Sequence, residues 1–473
     1  MYQHFNTRRR FALRIVSYVF MTLAVIVGVF GMTAWIMGYR LDLQKQEVSQ
    51  VALLQMGSWP SGARIYLNGD LQSFNTPGRH EMGDGKTSVR YSLNGYRDWT
   101  NEVALRPAEI RWLNYARLVP NEIKTESVFD LGTVHDFKVS PDKKWLFVQP
   151  NPSSRTFKIV EIANLKDIKM KDFTIDVSAL SEPTGDLIDE SFRLIEWNSK
   201  SEFVLLERTI NGTKEIIRVD RRDAEKSVNL SSQHSLAIDD PHMLFDNADI
   251  IYGLVGGNLR RFDIGAKTVS EPLIVGVEKY RIYSDGKVAY VTGLDSATDT
   301  QTIGVYFRER NYKIKTVTND QPILAEFSHY YDDYISIVHG AEIFVIKNPF
   351  DEKPKTVKTF ELDQKAAWLN VSANGRFILV GYGNKIRTYD IEHDELFTFD
   401  TGNFVGQPKW LDDFHLTYND DGNFKIVDFD GRNAQKIVSA NRVVMLSPNQ
   451  RHFVTIKSDE NGSHLQLSNM VIN

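Results

Sequence analysis

The sequence predicts an all-β protein carried on a single N-terminal apolar helix. Three observations lead to that fold class. An uncharged run extends from Ile15 to Met37, strand-like alternation broken by tight turns begins near residue 49, and a turn-and-strand unit recurs beyond Asn121. With 473 residues, 42% apolar and 25% charged, and with 30 Gly and 15 Pro, the composition is that of a folded chain; it excludes collagen-like and low-complexity classes. A Cys count of 0 removes a disulfide framework, thiolate catalysis and Cys-based zinc sites together.

The apolar run comes first. As a helix rising about 1.5 Å per residue it spans about 34 Å, enough for a hydrocarbon core of about 30 Å. It is longer than the apolar region of a cleaved signal peptide and ends without a small-x-small site, so an uncleaved signal anchor over residues 15–37 is expected, with the lipid bilayer as its partner. Arg8, Arg9, Arg10 and Arg14 in residues 1–14 should stay in the cytoplasm, while Trp35 and Tyr39 suit the opposite interface. The expected location is therefore the cell membrane, single-pass, with a cytoplasmic N-terminus and an extracytoplasmic body. An exterior body without cysteine fits a bacterial surface.

Those four arginines precede any acidic residue, so the rest of the chain is more acidic than the net charge of −5 shows. Phosphate backbones need a concentrated basic face, and none is visible along the sequence, so no nucleic-acid partner is expected; a basic patch assembled in three dimensions stays open.

A polar juncture over residues 38–48, read as a linker, leads into a small β domain expected at 49–119. Trp59 to Gly69 reads as a turn, a strand with alternating faces and an Asn-Gly turn. Thr76-Pro77-Gly78 and Gly83-Asp84-Gly85 interrupt the chain; Val89, Tyr91 and Leu93 alternate with polar residues, and Val103 and Leu105 begin another half-buried strand. Four or five short strands in about 70 residues imply a small sandwich. Pro60, Gly62, Ala63, Ile65, Tyr66, Leu67, Asn68, Gly69, Thr76, Pro77, Gly95, Tyr96 and Trp99 stand in the order of a known pattern. The segment resembles the PEGA domain family, with Ser61 in place of that family's Glu. The resemblance implies a compact surface β module beside a membrane anchor, with no catalytic residues to carry over. Burial tendencies place Tyr96 and Trp99 in its core.

From about residue 120 to 473 the chain repeats. Polar turns begin at Ser140, Asn198, Asp246, Ser284, Tyr331, Ser372, Asp412 and Ser447, at a mean spacing of about 44 residues, within the range of four-stranded propeller blades. Apolar strands follow each turn, among them Trp145 to Val148, Phe203 to Leu206 and Phe377 to Val380. No such unit buries both faces alone, so stacking is required, and this unit length favours a ring. The region resembles β-propellers of the TolB-like type, best at Ser140-Pro-Asp-Lys-Lys-Trp-Leu-Phe147, and eight blades are expected, with seven as the alternative. The eighth unit has little chain for an outer strand after His464 to Leu467, so Thr125 to Leu131 is expected to supply it and close the ring.

Function is less legible. The longest irregular stretches, near 149–156, 181–191, 231–241 and 292–302, should share one face of the ring, where binding loops of repeat proteins gather. They carry Asp186, Asp189, Glu190, Asp239, Asp240, Asp295 and Asp299, which suits either a solvated acidic rim or a cationic partner or divalent ion. No Gly-x-Ser-x-Gly elbow, His-Glu-x-x-His pair, phosphate loop or complete calcium loop is present. The 11 His are scattered without ligand spacing, so no metal, cofactor or catalytic residue is expected. The expected role is binding of a protein or a cell-envelope polysaccharide through the loop-rich face, and not catalysis. The alternative is a propeller-type glycan hydrolase or lyase, because such faces can assemble carboxylates from distant blades.

Overall fold

The computed structural model of the chain describes residues 7–42, 47–183, 185–283, 285–318, 321–404 and 406–472. A helix runs over Thr7–Ile36, and its Leu13–Ile36 portion, with a mean hydropathy of 2.3 and no burial, is long and apolar enough to cross a membrane. Arg8, Arg9 and Arg10 fall in its first turns; their side chains lie outside the described residues. Arg14 is exposed. At the other end Trp35 is 64% exposed and Tyr39 40%. The Arg40 guanidinium lies over the Trp35 ring at 5.3 Å and is ion-paired with Glu81 at 2.6 Å. Within the polar juncture, Tyr39–Asp42 pairs antiparallel with Glu47–Gln50.

The chain divides into two compact units, one reaching to Glu122 and including Ile472, the other Ile123–Val471. In the first, seven strands lie between residues 52 and 117, more than the four or five expected. They form a three-stranded sheet in the order Gly78–Met82, Ala52–Trp59, Ile110–Arg117 and a four-stranded sheet in the order Asp70–Asn75, Arg64–Leu67, Gly85–Ser92, Trp99–Leu105. Local alternation missed the first of these sheets because its central strand pairs in parallel with a partner more than fifty residues away, a pairing that no turn signals. Leu54, Ile65, Tyr91, Trp99 and Leu113 fill the core. The Trp99 ring stacks on Tyr91 at 4.9 Å, and the Tyr91 hydroxyl donates to the Leu113 carbonyl at 3.0 Å.

The second unit contains eight four-stranded antiparallel sheets among the described residues, an arrangement compatible with a propeller. Seven take their strands in chain order. The eighth is Arg442–Leu446, His452–Asp459 and Gly462–Asn469, completed by Thr125–Gly132 from the other end of the unit, the closing strand expected from the sequence. Adjacent sheets pack through apolar clusters. Phe147, Phe157, Phe192 and Leu206 join the first to the second, and Leu146, Val148, Val454 and Leu465 join the eighth to the first.

Four of the turns between first and second strands share one device. Ser140 Oγ accepts from the Trp145 amide, Asn198 Oδ1 from Phe203, Ser372 Oγ from Phe377 and Ser447 Oγ from His452, at 2.8–2.9 Å in each case. A short polar side chain five residues before the second strand thus satisfies that strand's first N–H, so the sequence marks these turns with Ser or Asn. The turn expected at Ser284 begins outside the described residues.

Candidate functional site

Because neighbouring strands run antiparallel, second-to-third connections and those leading from a fourth strand into the next sheet emerge at the same edge of the sheets. That edge carries the long irregular stretches. Val177, Leu187 and Ile188 lie in the connection between Lys169–Thr174 and Glu190–Trp197, Val275 between Thr268–Val269 and Val277–Ile282, and Leu294 between Val288–Thr292 and Thr300–Phe307. Their exposures of 73%, 50%, 87%, 70% and 47% are high for apolar side chains. The Gly293 amide donates to the Gly276 carbonyl at 2.7 Å, which sets Val275 and Leu294 side by side. At the opposite edge only Phe245 and Tyr331 are large, apolar and exposed among the described turn residues.

The acidic residues expected to line this edge divide by structure. Asp186 and Asp189 are exposed, and their backbone is tied down by Asn211, whose side chain donates to the Asp186 carbonyl at 2.9 Å and accepts from the Asp189 amide at 3.2 Å. Asp295 caps its own turn by accepting from the Ala297 amide at 2.9 Å, which holds its carboxyl below the usual range. Asp299 is exposed in the left-handed region, and Asp239 is exposed 3.9 Å from Lys214.

Glu190 departs from the rim reading, and Asp240, although exposed, is engaged by a neighbour. The Glu190 carboxylate is held between Arg155 at 2.8 Å and Arg208 at 2.6 Å, and Arg208 also binds Glu215 at 2.8 Å. This group joins sheet strands to a loop, with Arg208 and Glu215 buried and Arg155 reaching solvent. Asp240 sits 3.4 Å from His242 Nε2, while His242 Nδ1 lies 3.0 Å from Glu196. Burial lowers the His242 imidazole, but the hydrogen bonds and charges of Asp240 and Glu196 outweigh it and push it up to about 9. Among the described residues no three His, Asp or Glu side chains converge as a metal site, so the acidic loops do not assemble a divalent-ion cage.

The first strands of the sheets border inner cavities. Three of them, of about 750, 600 and 280 Å³, are lined in part by the same residue, Gln407. The smallest is lined by Asp240, Arg281 and Glu326 among others. Arg281 Nε lies 3.2 Å from one Glu326 oxygen, and the Tyr283 hydroxyl donates to the other at 2.8 Å. Burial raises the Glu326 carboxyl despite these partners. Sequence reasoning singled out Asp240 but missed Arg281, Tyr283 and Glu326, because residues 240, 281 and 326 fall in three different repeats.

In the first unit, the expected motif residues set the backbone. Thr76, 3% exposed, accepts the Ala63 amide on its hydroxyl at 2.9 Å, and that hydroxyl lies 2.7 Å from Ser58 Oγ. The Thr76 carbonyl accepts from Gly62 at 2.7 Å. Pro60 and Pro77 both follow cis peptide bonds. Asn68 and Gly69 make a two-residue turn at φ +51° and +93°, the second open to any residue only at the strain cost of the left-handed region. Gly95 turns the chain at φ +83°, and Tyr96 and Trp99 are buried in the core. Residues 52–120 match the PEGA domain family. Within the PEGA domain, Thr-Pro is thus a clamp on the Gly-Ala turn, and the Ser61 position, outside that clamp, tolerates replacement of the family's Glu.

No curated protein matches the chain in sequence, but solved structures resemble it in fold. Porphyromonas gingivalis dipeptidyl peptidase 4 is similar at 13% identity and a TM-score of 0.50, over 71% of this chain and 57% of that one, so the chain spans little more than half of that protein. Oligogalacturonate lyase in complex with manganese matches at 11% identity and 0.40, over 61% and 99%, and Kluyveromyces lactis Hsv2p at 14% and 0.40, over 71% and 97%. These are propeller-like proteins, and at such identities the likeness concerns the fold alone.

Proposed function

We propose that this chain is a single-pass, membrane-anchored binding protein of the cell exterior. In this reading residues 15–37 cross the membrane with the arginines inside, the PEGA domain follows the anchor, and the eight sheets form a closed eight-bladed propeller of TolB-like type. Its loop-rich edge recognises a protein or an envelope polysaccharide. The observation that carries the reading is the one-sided apolar exposure: Val177, Leu187, Ile188, Val275 and Leu294 all occur on the edge that also bears the acidic loops. Exposed apolar groups rimmed by charge are the usual composition of a recognition surface. The test is capture from envelope extracts by the full chain and by a variant with Leu187 and Ile188 both replaced by Ser. The reading expects a partner whose recovery falls at least tenfold with the variant, and it fails if every captured species is unchanged.

A glycan hydrolase or lyase is the second reading, favoured by one observation. Asp240 and Glu326 line one cavity with their carboxyl groups displaced in opposite directions, Asp240 downward by His242 and Glu326 upward by burial. Against it, both Glu326 oxygens are already engaged by Arg281 and Tyr283. Loss of a measured envelope-glycan cleavage in Glu326→Gln with retained folding would favour the enzyme.

A further inference from the structure

One inner cavity, of about 750 Å³, has the size of a small-molecule site, and its charge is opposite to that of the chain. The net charge of the protein is −5, yet this wall carries five basic residues, Lys138, Lys143, Arg193, Lys409 and Arg442, against one carboxylate, Asp136. Arg193 is neutralised by Glu207 at 2.8 Å, and Lys143 points to the Leu446 carbonyl at 3.4 Å. Lys138, Lys409 and Arg442 make no ion pair among the described residues; the nearest thing to a partner is the Phe137 ring, 6.0 Å from the Arg442 guanidinium.

Three like charges held together at the first strands of the first, seventh and eighth sheets repel one another. Burial, and then the charge of Lys138, hold the Lys409 ammonium below its ordinary value, with Arg442 adding to the effect and Asp136 opposing it. Phe137, Trp410 and Tyr418 supply ring surface around these groups.

We propose that this cavity is a binding site for a small dianion, a phosphate ester or a dicarboxylate, held by Lys138, Lys409 and Arg442. With Lys143, which meets only a carbonyl, four cations without a salt bridge face Asp136 and leave three positive charges, more than enough to hold a ligand that carries two negative ones. Oxygen acceptors on phosphate or carboxylate suit the guanidinium fork of Arg442 and the point charges of the lysines. The site is separate from the loop-rich edge and stands or falls independently of it.

The test is thermal unfolding of the full chain in detergent, without additive and with inorganic phosphate, succinate or heparin at matched ionic strength. The wild type is expected to gain several degrees with phosphate or succinate. Lys409→Met and Arg442→Gln should each abolish that gain, and each should unfold no earlier than the wild type without additive, because each removes like-charge repulsion. Lys355→Gln, on an outer strand of another sheet, should keep the gain. An equal gain in wild type and Lys409→Met would overturn the site, as would no gain with either small anion. A gain with heparin alone would replace the free dianion by an anionic polymer and overturn the proposal as stated. Loss of partner capture in the Leu187 and Ile188 variant bears only on the loop-rich edge and leaves this result unaffected.

Discussion

Thr125 and Ser468, separated by 343 positions in the chain, face each other across an antiparallel ladder with their hydroxyl oxygens 2.8 Å apart. The ladder joins the first strand of the second unit to the last, so the eighth sheet is made from both ends. The pairing covers Gly462–Asn469, which would otherwise be an edge strand. The mutual dependence of distant segments follows: the eighth sheet forms only when the rest of the unit has brought residue 125 back to residue 468.

Leu131, on that closing strand and fully buried against Val454 and Leu465, reports on this dependence. Leu131→Ala should cost about 2–5 kcal/mol. The loss should appear in unfolding of the whole second unit, followed by hydrogen exchange in the Phe147 cluster as well as in the eighth sheet. Exchange that rises only in the eighth sheet would contradict ring closure as the source of stability.

Glu190 distinguishes structural acid from surface acid. Its replacement by Ala leaves the buried Arg208 with Glu215 and the Ser181 carbonyl and should cost about 1–3 kcal/mol. Asp189→Ala, one residue earlier and exposed, should change stability by less than about 0.5 kcal/mol. Denaturant titration of the two variants checks the contrast.

His242 should make stability depend on pH. Its folded value of about 9 exceeds the ordinary value of 6.5, so its ion pairs with Glu196 and Asp240 contribute fully below pH 6.5 and are lost as pH rises through 9. The contribution is on the order of 3 kcal/mol at most. Melting temperatures of wild type and His242→Gln should differ most near pH 6 and converge near pH 10; a constant difference would mean that protonation plays no part.

Thr76 tests the PEGA clamp. Thr76→Val leaves the Ala63 amide without its acceptor in a buried site and should destabilise the domain by about 1–3 kcal/mol, whereas Thr76→Ser should restore most of it. Hydrogen exchange of the Trp99–Leu105 strand amides across a denaturant series, with Trp99 buried beside Tyr91, reports on this unit.

The extent to which the sequence revealed this molecule depends on how local each cause is. Ser140, Asn198, Ser372 and Ser447 announce their turns because the polar side chain and the amide it accepts from lie five residues apart, and the eightfold recurrence multiplies a weak signal. The Ala52–Trp59 strand stayed hidden because its parallel partner, Ile110–Arg117, is far away in sequence. Glu190 was misread as a rim acid because its partners Arg155 and Arg208 reach it only in the folded sheet. Lys138, Lys409 and Arg442 each look like ordinary surface cations; only their shared place on first strands, set against the acidity of the rest, was available as a signal.

Topology can be read cleanly because the chain has 0 Cys. A single Asp295→Cys substitution in the exposed turn should react with a membrane-impermeant maleimide on intact cells. Labelling only after lysis would place the body inside and contradict the proposed orientation.

The central claim is that recognition occurs at one edge of the sheets. Two apolar residues offer a matched comparison: Ile188, 87% exposed on the loop-rich edge, and Tyr331, 84% exposed at a turn on the opposite edge. A photo-crosslinking amino acid placed at either position in the full chain, activated on intact cells, reads the claim most directly. The account expects a discrete crosslinked species from position 188 and none from position 331; equal crosslinking from both, or from 331 alone, would contradict it.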